Sequence, residues 1–453
     1  MTDTHAFPPG FTWGAATSAY QVEGSPLADG AGPSIWHRFS HTPGRVRDGD
    51  TGDLACDHYR RFKEDVALMR DLGLKAYRFS VSWSRVFPEG RGRVNPAGLG
   101  FYERLVDELL KHDIEPFLTL YHWDLPAALD DLGGWLNPSI ADWFADYTET
   151  MVRALDGRVR KWTTLNEPWV VIDGGYLFGV LAPGHANLYE APIAAHHLMR
   201  AHGASVRRYR SIGKHEIGLV VNIEPKYPAS QSPADLAAVR RANAYMNQWY
   251  LDPAFLKRYP PEMREVFGDA WREDWPAEDF DLIGEKIDFL GLNYYTRSVT
   301  QADPTVRPLG FRSVHQPQSQ YTDTGWEVFP QGLTDTIHQI RTRYGNLPLY
   351  ITENGCALPE PTSVAVDVFE DPRRVDYLTT HLAAVARAIQ EGANVQGYFA
   401  WSLLDNFEWA HGYSKRFGLV HCDHHSQKRT WKRSAKLYQQ VIATHGSNVL
   451  APR

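Results

Sequence analysis

The chain has 453 residues, of which 43% are hydrophobic and 22% charged, and its formal net charge is −7 at pH 7. This composition is that of a globular protein with a sizeable core, and the excess of acidic side chains gives no support for nucleic-acid binding. Aromatic residues are abundant, with 15 Trp, 22 Tyr and 20 Phe. They indicate either a large aromatic core or a sugar site, since the C–H faces of pyranose rings stack on indoles, and composition alone leaves both open.

Cysteine usage and the start of the chain bear on the compartment. Cys56, Cys356 and Cys422 are odd in number and far apart in sequence, which argues against a disulfide framework and fits a reducing compartment. The first residues contain neither the basic nor the apolar segment of a signal peptide, and no run of about 18 apolar residues occurs. We therefore expect a cytoplasmic location and no membrane association.

Eight short apolar runs occur along the chain, and most are continuously apolar rather than alternating. This pattern is typical of strands in a parallel sheet that is covered on both faces. The runs are 11–15, 76–83, 114–121, 161–166, 216–223, 287–295, 349–352 and 395–402.

Amphipathic helical patterns lie between these runs. In the first of them Phe62, Val66 and Met69 recur at helical spacing, and Gly73 follows as a C-cap. The patterns are 54–72, 99–111, 140–155, 191–210, 234–250, 332–344, 372–390 and 431–444. Eight alternating strands and helices predict an α/β fold, a single-domain (β/α)8 TIM barrel over residues 1–453. The main alternative is a doubly wound open sheet, but no Gly-x-Gly-x-x-Gly turn follows the first strand.

Three irregular segments are long for plain connections, namely 25–52, 174–187 and 302–325. Connections of this length are usually functional or disordered. We expect those that follow strands to wall a pocket at the C-terminal face of the barrel.

Two glutamates stand at the ends of apolar, β-branched runs, Glu167 in TTLNEP and Glu353 in ITENG. Glutamate is unfavourable in strands and costly to bury, so two in matching positions indicate a paired-carboxylate site. In the predicted barrel they end strands four and seven, at the face where barrel enzymes carry their active sites. Paired carboxyls cleave glycosidic bonds, with retention at a separation of about 5–5.5 Å and inversion at about 6.5–9.5 Å. The sequence leaves this separation open.

Two carboxylates held close together cannot both ionise freely. At about 5.5 Å and an effective dielectric near 20 they repel by about 3 kcal/mol, which corresponds to about two pKa units. One carboxyl then stays protonated near neutral pH as a general acid, while the other attacks the anomeric carbon.

Along its whole length the chain resembles glycoside hydrolase family 1, the β-glucosidase family. The matching motifs run from FTWGAATSAYQVEG at 11–24 to FGLV at 417–420 and include both glutamate motifs. Either glutamate motif alone is weak, whereas the two together with five further motifs in order are specific. The resemblance implies a retaining exo-β-glycosidase on a (β/α)8 barrel that needs no metal and no organic cofactor.

The resemblance implies roles for five residues at the cleaved bond. Glu167 is expected to be the acid/base and Glu353 the nucleophile. Asn166 is expected to bind the sugar 2-hydroxyl, although a turn former at a strand end is the alternative. Arg78 lies inside a predicted strand, where a buried charge needs a partner, and we expect that partner to be Glu353. Tyr295 is expected to donate to the same carboxylate, with simple barrel packing as its alternative.

The residues that the resemblance assigns to the sugar combine hydrogen-bonding and stacking side chains. They are Gln21, His122, Trp123, Asn293, Trp401, Glu408 and Trp409. Trp401 is expected to form a stacking floor, and His122 could equally be a hydrogen-bonded core histidine. Glu408 favours an unphosphorylated hexose, because relatives that act on 6-phosphoglycosides lack a carboxylate that would repel phosphate.

The aglycone side is less readable. Trp169, Asn222, Trp326 and Phe417 align with positions that line the outer pocket in relatives. Leu181 departs from the histidine often found at its position, which leaves the aglycone preference open.

The run HCDHH at 421–425 contains metal-ligand residue types. Adjacent side chains point in different directions and no Cys-x-x-Cys or His-x-x-x-His spacing is present in it, so we predict a polar loop and no metal site. Trp431, where many relatives carry proline, is interpreted as a variation at the start of the last helix. Cys356 follows Glu353 closely but has no evident activating base, so we expect no catalytic role.

The expected function is hydrolysis of terminal β-D-glucosyl residues of small glucosides and cello-oligosaccharides through a covalent glycosyl-enzyme, with transglycosylation as a side activity. The alternatives are a 6-phospho-β-glycosidase, a non-catalytic sugar-binding barrel and a metal-dependent sugar isomerase. Glu408 argues against the first, and the presence of both glutamates and Arg78 argues against the second. The expected partners are small β-glycosides, and the sequence leaves open homo-oligomer formation and the choice among glucose, galactose and fucose.

Overall fold

Eight parallel strands close into a barrel in the computed structural model, which describes residues 6–447. Each strand pairs with its neighbours along the chain, and the eighth pairs with the first. In chain order, β1 to β8 are Thr12–Ala16, Ala76–Ser80, Glu115–Tyr121, Lys161–Asn166, Glu216–Asn222, Phe289–Asn293, Leu349–Asn354 and Val395–Trp401. The predicted (β/α)8 TIM barrel is confirmed and the open sheet is excluded, because both edges of the sheet are paired.

One long helix follows each strand and buries an apolar face. In chain order, α1 to α8 are His58–Leu72, Pro96–Lys111, Ile140–Leu155, Glu190–Ile212, Pro233–Ala242, Pro330–Tyr344, Pro372–Gln390 and Arg433–Thr444. Proline begins α2, α5, α6 and α7, where its missing N–H costs no helical hydrogen bond. Gly73 ends α1 with φ 80°, the left-handed C-cap that the sequence predicts. No helix within 6–447 has the length and apolar character needed to cross a membrane.

The fifth predicted helix has a different local structure from the one expected. α5 ends at Ala242, and residues Asn243–Gln248 continue as a π-helix. A second π-helix, Asp173–Leu177, begins just before the predicted irregular segment 174–187. The apolar periodicity of a sequence does not register the extra residue that a π-turn inserts, and such turns often mark functional sites.

Two interpretations near the C-terminus are wrong. Trp431 lies in a strand, Arg429–Lys432, which pairs with Val420–Cys422 and with Val368–Phe369. The last helix therefore starts only at Arg433. The run 421–425 is also not wholly a loop, since its first two residues belong to the paired strand and are buried. Cross-strand pairing with distant segments decided both cases.

The remaining elements are short and lie in the connections. Three strands form a second small sheet, Lys226–Pro228, Ser298–Ala302 and Phe311–Ser313. Short α-helices are Ala19–Val22, Ile35–Ser40, Trp83–Val86, Ala127–Asp130, Pro168–Ile172, Leu251–Leu256, Met263–Phe267 and Ala277–Ile283. Single 3-10 turns are Ala28–Gly30, Arg47–Gly49, Gly134–Leu136, Gly268–Ala270 and Trp409–His411.

Aromatic rings fill the interior of the barrel below its C-terminal face. Phe117 packs edge-on against Phe289, Tyr350 and Phe399, with ring centroids 5.0 to 5.5 Å apart. Gly14 makes room for this cluster, since a Cβ there would lie 2.4 Å from the Phe399 ring. This aromatic cluster accounts for part of the aromatic content of the chain, and it supports the polar residues at the strand ends.

Candidate active site

The two glutamates lie at the carboxyl ends of β4 and β7, where the strand register is irregular. The pairing of β4 with β5 shifts between Thr163 and Asn166, and that of β7 with β6 shifts between Ile351 and Glu353. Such irregularities re-aim side chains next to active sites. Glu167 follows β4 directly with a left-handed φ of 48°. A non-glycine residue in this conformation is strained by about 1–2 kcal/mol.

A buried arginine connects the ends of the two strands. Arg78 Nη1 donates to Glu353 Oε1 at 2.6 Å, and Arg78 Nη2 donates to Asn166 Oδ1 at 2.6 Å. Tyr295 Oη donates to the other carboxylate oxygen of Glu353 at 2.7 Å. Each oxygen of Glu353 therefore has its own donor, an arrangement that favours the ionised carboxylate.

Asn293 ties the second glutamate into the same network. Its Nδ2 donates to Glu167 Oε1 at 2.7 Å and to Asn166 Oδ1 at 3.1 Å. Thr352 Oγ1 donates to Asn293 Oδ1 at 2.7 Å, which fixes the orientation of that amide. The side chain of Glu167 thus contacts an uncharged donor, whereas that of Glu353 contacts a cation.

Burial and charge set the two glutamates apart. Burial, reinforced by the charge of Glu353, raises the pKa of Glu167 well above its usual value. Burial also raises the pKa of Glu353, but Arg78 and Tyr295 oppose that rise. The arrangement therefore favours a proton on Glu167 and the negative charge on Glu353, a difference that acid-assisted bond cleavage could use.

The amide of Asn166 is oriented by its neighbours. Because its Oδ1 accepts from Arg78, its Nδ2 is the atom that faces His122 Nε2, at 3.1 Å. The Nε2 of His122 then accepts, and its proton resides on Nδ1. Burial, followed by the charge of Arg78, lowers the pKa of His122 well below its usual value, so the ring is neutral.

Gln21 anchors the segment that carries Glu408. Its Nε2 donates to Phe407 O at 2.9 Å, Asn406 Oδ1 at 3.1 Å and Glu408 Oε2 at 3.2 Å. Ser18 Oγ donates to Gln21 Oε1 at 2.7 Å. Burial, with the charge of Glu353, raises the pKa of Glu408 to about 8. Neither Ser18 nor Asn406 was predicted, although Ser18 lies within the motif at 11–24 and Asn406 lies two residues before Glu408.

Aromatic rings pack around the hydrogen-bonded residues of the site. His122 stacks between Trp401 and Trp409, with ring centroids 6.0 and 5.9 Å away. Trp123 packs on Trp409 at 4.6 Å, and its Nε1 donates to Asn166 O at 2.9 Å. Trp123 and Trp409 have left-handed φ values of 78° and 50°, like Glu167. Three strained positions in one group indicate a functional site, because neighbouring structure must hold each of them.

A cavity of about 500 Å³ opens in front of these residues. Its inner part is lined by Trp123, Glu167, Asn293, Tyr295, Glu408 and Trp409. Its outer part is lined by Trp169, Asn222 and Trp326 as expected, together with Leu181. The structure therefore brings four of the predicted sugar residues and three of the predicted aglycone residues to one cavity, the size of a small-molecule site. Gln21, His122 and Trp401 are not among its lining residues.

Phe417, expected to line the outer pocket, is not among the residues that line this cavity. It is buried in the barrel cluster that contains Phe399 and Trp401. Its ring contacts Tyr295 and Trp326, each at 6.1 Å between centroids. Phe417 O accepts from the backbone of Ser402 just after β8, and this contact draws the residue inward.

Several outer residues were missed by the sequence analysis. Asp173, at the start of the π-helix Asp173–Leu177, lines the cavity and accepts from Tyr245 Oη at 2.5 Å. Burial raises the pKa of Asp173 to about 6. Glu224 also lines the cavity and pairs with Lys226. The nearest sequence signals were the long segment 174–187, which follows Asp173, and the aligned Asn222, which lies two residues before Glu224.

Two unpaired polar atoms mark the outer cavity. Trp169 Nε1 and Asn222 Oδ1 are buried, and neither has a hydrogen-bond partner among residues 6–447. Buried polar groups are normally paired, so an unpaired donor and an unpaired acceptor on one cavity wall indicate a place for a hydroxyl-bearing ligand.

Comparison with known proteins agrees with this geometry. The sequence model of glycosyl hydrolase family 1 matches residues 3–447. Beta-glucosidase A of Thermotoga maritima is 48% identical over 97% of this chain and 98% of its own length. The 1,4-beta-D-glucan glucohydrolase of Thermotoga neapolitana is 47% identical over 97% and 99%. The solved structure of the Thermotoga maritima beta-glucosidase with glucoimidazole superposes with a TM-score of 0.94 at 48% identity, covering 97% of this chain and 99% of that one. The chain belongs to glycosyl hydrolase family 1.

Proposed function

We propose that this protein is a retaining β-glucosidase that removes single terminal β-D-glucosyl residues from small glucosides and cello-oligosaccharides. The observation that carries the proposal is the contrast between the two buried glutamates. Glu353 accepts from Arg78 and Tyr295, one donor on each oxygen, while Glu167 accepts from an uncharged amide. The names of the Thermotoga relatives, a beta-glucosidase and a glucan glucohydrolase, support the choice of glucose as the sugar.

In the first step Glu353 attacks the anomeric carbon. A bond forms between a carboxylate oxygen of Glu353 and that carbon, and the bond from the carbon to the aglycone oxygen breaks. Glu167 transfers its proton to the departing oxygen, so the aglycone leaves as a neutral alcohol. Asn166 is proposed to donate its Nδ2 to the sugar 2-hydroxyl, a contact that strengthens in the transition state.

In the second step the ester is hydrolysed. Esterification removes the charge of Glu353, and the pKa of Glu167 falls because that charge helps to raise it. Glu167, now ionised, accepts a proton from water as the water oxygen bonds to the anomeric carbon. Glu353 leaves as a carboxylate that Arg78 and Tyr295 stabilise. Two inversions give net retention, and an alcohol in place of water gives transglycosylation.

The sugar is proposed to bind in the inner cavity. Gln21, His122 and Glu408 supply donors and acceptors for its hydroxyls, and Trp401 and Trp409 supply apolar faces. With a pKa of about 8, Glu408 is protonated near neutral pH in the free enzyme and can both donate and accept. Binding groups that can only form hydrogen bonds suit a neutral hexose.

The cavity composition argues against the 6-phospho-β-glycosidase alternative. Among the described residues its lining contains no lysine or arginine to neutralise a phosphate. Because Glu408 is protonated near neutral pH, it would repel a phosphate group only weakly. The lack of a lysine or arginine among the described lining residues is therefore the stronger argument against a phosphorylated substrate. The two carboxyls supply both nucleophile and proton donor, so no proposed step uses a metal or organic cofactor.

We also propose a cytoplasmic location, supported by Cys56, Cys356 and Cys422, which are all buried free thiols in the structure. Free thiols persist in reducing compartments. Fractionation of the native host, followed by an activity assay of each fraction, tests this location.

Proton NMR of the anomeric signals during early hydrolysis of p-nitrophenyl β-D-glucoside tests the reaction. We expect β-glucose to appear first and α-glucose to follow only by mutarotation. Initial α-glucose would establish inversion and remove the nucleophile role of Glu353. Hydrolysis of the 6-phosphoglucoside alone would establish the phosphorylated substrate instead.

A further inference from the structure

Three side chains that prefer soft metals meet outside the catalytic cavity. They are Cys56, Cys422 and His424, whose two sulfur atoms and one ring nitrogen all lie within 4.8 Å of one another. Both cysteines are fully buried, and His424 is half-buried, so the cluster has a path to solvent on one side. The spacing within 421–425 taken alone predicts no metal site. The structure adds Cys56, from the connection between β1 and α1.

The ring of His424 is oriented as a metal-binding imidazole is. Its Nδ1 lies 3.2 Å from the carbonyl oxygen of Ala55, and because a carbonyl only accepts, the proton resides on Nδ1. Its Nε2 therefore carries the lone pair, and this atom is buried without a partner among residues 6–447. Imidazole ligands of metals usually donate their other nitrogen to a carbonyl or carboxylate in this way. Tyr413 packs on the ring at 4.1 Å and holds its plane.

The loop after Cys422 is held in one conformation. Asp423 Oδ1 accepts from the backbone N–H groups of His425 and Ser426 at 2.9 and 3.1 Å. Gln427 Nε2 donates to the Ala55 carbonyl at 3.2 Å, and its Oε1 lies 4.0 Å from Cys422 Sγ. The ligands are thus positioned by their own hydrogen bonds, as a preorganised site requires.

We propose that Cys56, Cys422 and His424 bind one thiophilic divalent cation, with Zn²⁺ as the representative. Two thiols and a neutral imidazole take up the cation, and each thiol releases its proton to solvent, so the two thiolates balance the charge of the ion. Thiolate and imidazole together select Zn²⁺ and similar soft ions over Mg²⁺ or Ca²⁺. Water or Gln427 Oε1 completes a tetrahedral set.

The cluster is connected to the wall of the sugar cavity. Cys56 Sγ donates to the carbonyl oxygen of Asp405 at 3.1 Å. A metal-bound thiolate has no proton to donate, so metal binding breaks this contact. The next residue, Asn406, accepts from Gln21, which also holds Glu408. We therefore infer that the bound cation lowers glucosidase turnover, and this consequence, unlike the site itself, rests on the proposed function.

Cobalt(II) is a spectroscopic probe for the site, because thiolate ligands give it sulfur-to-cobalt charge-transfer absorption. Titration of Co²⁺ into the reduced, metal-free full-length protein should produce this absorption and saturate at one equivalent. Zn²⁺ should displace the cobalt and abolish the band. The Cys422→Ser and His424→Ala variants should lose the band or bind at least about tenfold more weakly. Cys356→Ser, which removes the third buried thiol, is the matched control and should retain it.

Circular dichroism and thermal melting of each variant show that a lost band is not a lost fold. Three outcomes would overturn the proposal. They are no charge-transfer band in the wild type at excess Co²⁺, a band of full strength in Cys422→Ser, or a thiol count showing that Cys56 and Cys422 form a disulfide. Zn²⁺ should lower aryl-glucoside turnover several-fold in the wild type and less in His424→Ala. A protein that binds Co²⁺ but hydrolyses no glucoside would instead refute the proposed function and leave the metal site standing.

Discussion

Arg78 and Glu353 form an ion pair that is buried within the barrel, with 2.6 Å between Nη1 and Oε1. The arginine arises from the second strand and the glutamate from the seventh, so the pair spans the mouth of the barrel. Removing one partner of a buried pair leaves an uncompensated charge. The pair therefore links the stability of the fold to the ionisation of the proposed nucleophile.

Arg78→Met should remove the charge that opposes the rise in the pKa of Glu353. With that pKa higher, the nucleophile is ionised only at higher pH, and the acidic limb of the kcat/KM profile should move upward in pH. The variant should also lose about 3–5 kcal/mol of unfolding free energy. Arg374→Met breaks buried ion pairs with Glu360 and Asp371, away from the cavity, and should destabilise the protein without moving the limb. An unmoved limb in Arg78→Met would contradict the proposed role.

Tyr295→Phe deletes one hydrogen bond to Glu353 and little volume. A hydrogen bond to a charged group contributes about 1.5–3 kcal/mol, so kcat/KM should fall about 10- to 100-fold. The neighbouring Tyr294 donates to the carbonyl of Phe329 instead, which makes Tyr294→Phe a matched control with near-normal kcat/KM. Equal effects of the two substitutions would show that Tyr295 only packs.

Glu353→Ala should reduce turnover of aryl β-glucosides by about 10⁴-fold or more, because the variant lacks the carboxylate that is proposed to attack the anomeric carbon. Sugar binding should survive, since the proposed glucose contacts come from other residues. Steady-state assays and calorimetric titration with a glucose-like inhibitor measure the two properties separately. Near-normal turnover would show that the nucleophile is another residue.

Glu167→Ala should affect substrates according to their leaving groups. General acid catalysis contributes about 10²–10⁴-fold when the departing oxygen is basic, and little when it leaves as a stable phenolate. Cellobiose hydrolysis should therefore fall far more than 2,4-dinitrophenyl glucoside hydrolysis. A uniform loss across a series of aryl glucosides would argue against the acid role.

Glu408 should make the folded protein less stable as pH rises. Its pKa is about 8 in the folded chain and about 4.3 in an unfolded one, so the folded state holds an extra proton between these values. The stability from this group is fully present below about pH 4 and is lost as pH rises through 8, with a slope of about 1.4 kcal/mol per pH unit.

Urea unfolding at several pH values measures that slope. Glu408→Gln should remove the contribution of this one proton, about 1.4 kcal/mol per pH unit, from the slope of unfolding free energy against pH. Glu327→Gln is a suitable control. Burial alone would raise the pKa of Glu327, but the interaction with Arg297 opposes this rise and the pKa is lowered. A variant slope equal to that of the wild type would show that Glu408 is ionised in the folded protein.

Local patterns were enough to predict the barrel and the position of its reactive end. Strands buried on both faces are continuously apolar, and Glu167 and Glu353 interrupt two of them at their carboxyl ends. The same local reasoning failed for Trp431, because a strand on a small sheet is chosen by its pairing partners, Val420 and Val368.

The alternation of strands and helices, the two glutamates at the barrel mouth and the family resemblance could all be recognised from the sequence, because each depends on residues that are close together along the chain. The family resemblance predicted the roles of the two glutamates, and the three-dimensional contacts supply a physical reason for them, since Arg78 reaches Glu353 and an uncharged amide reaches Glu167. Only the tertiary structure brought Cys56 to Cys422. Charge interactions and metal coordination act over a few ångströms in space, and distance along the chain does not reveal them.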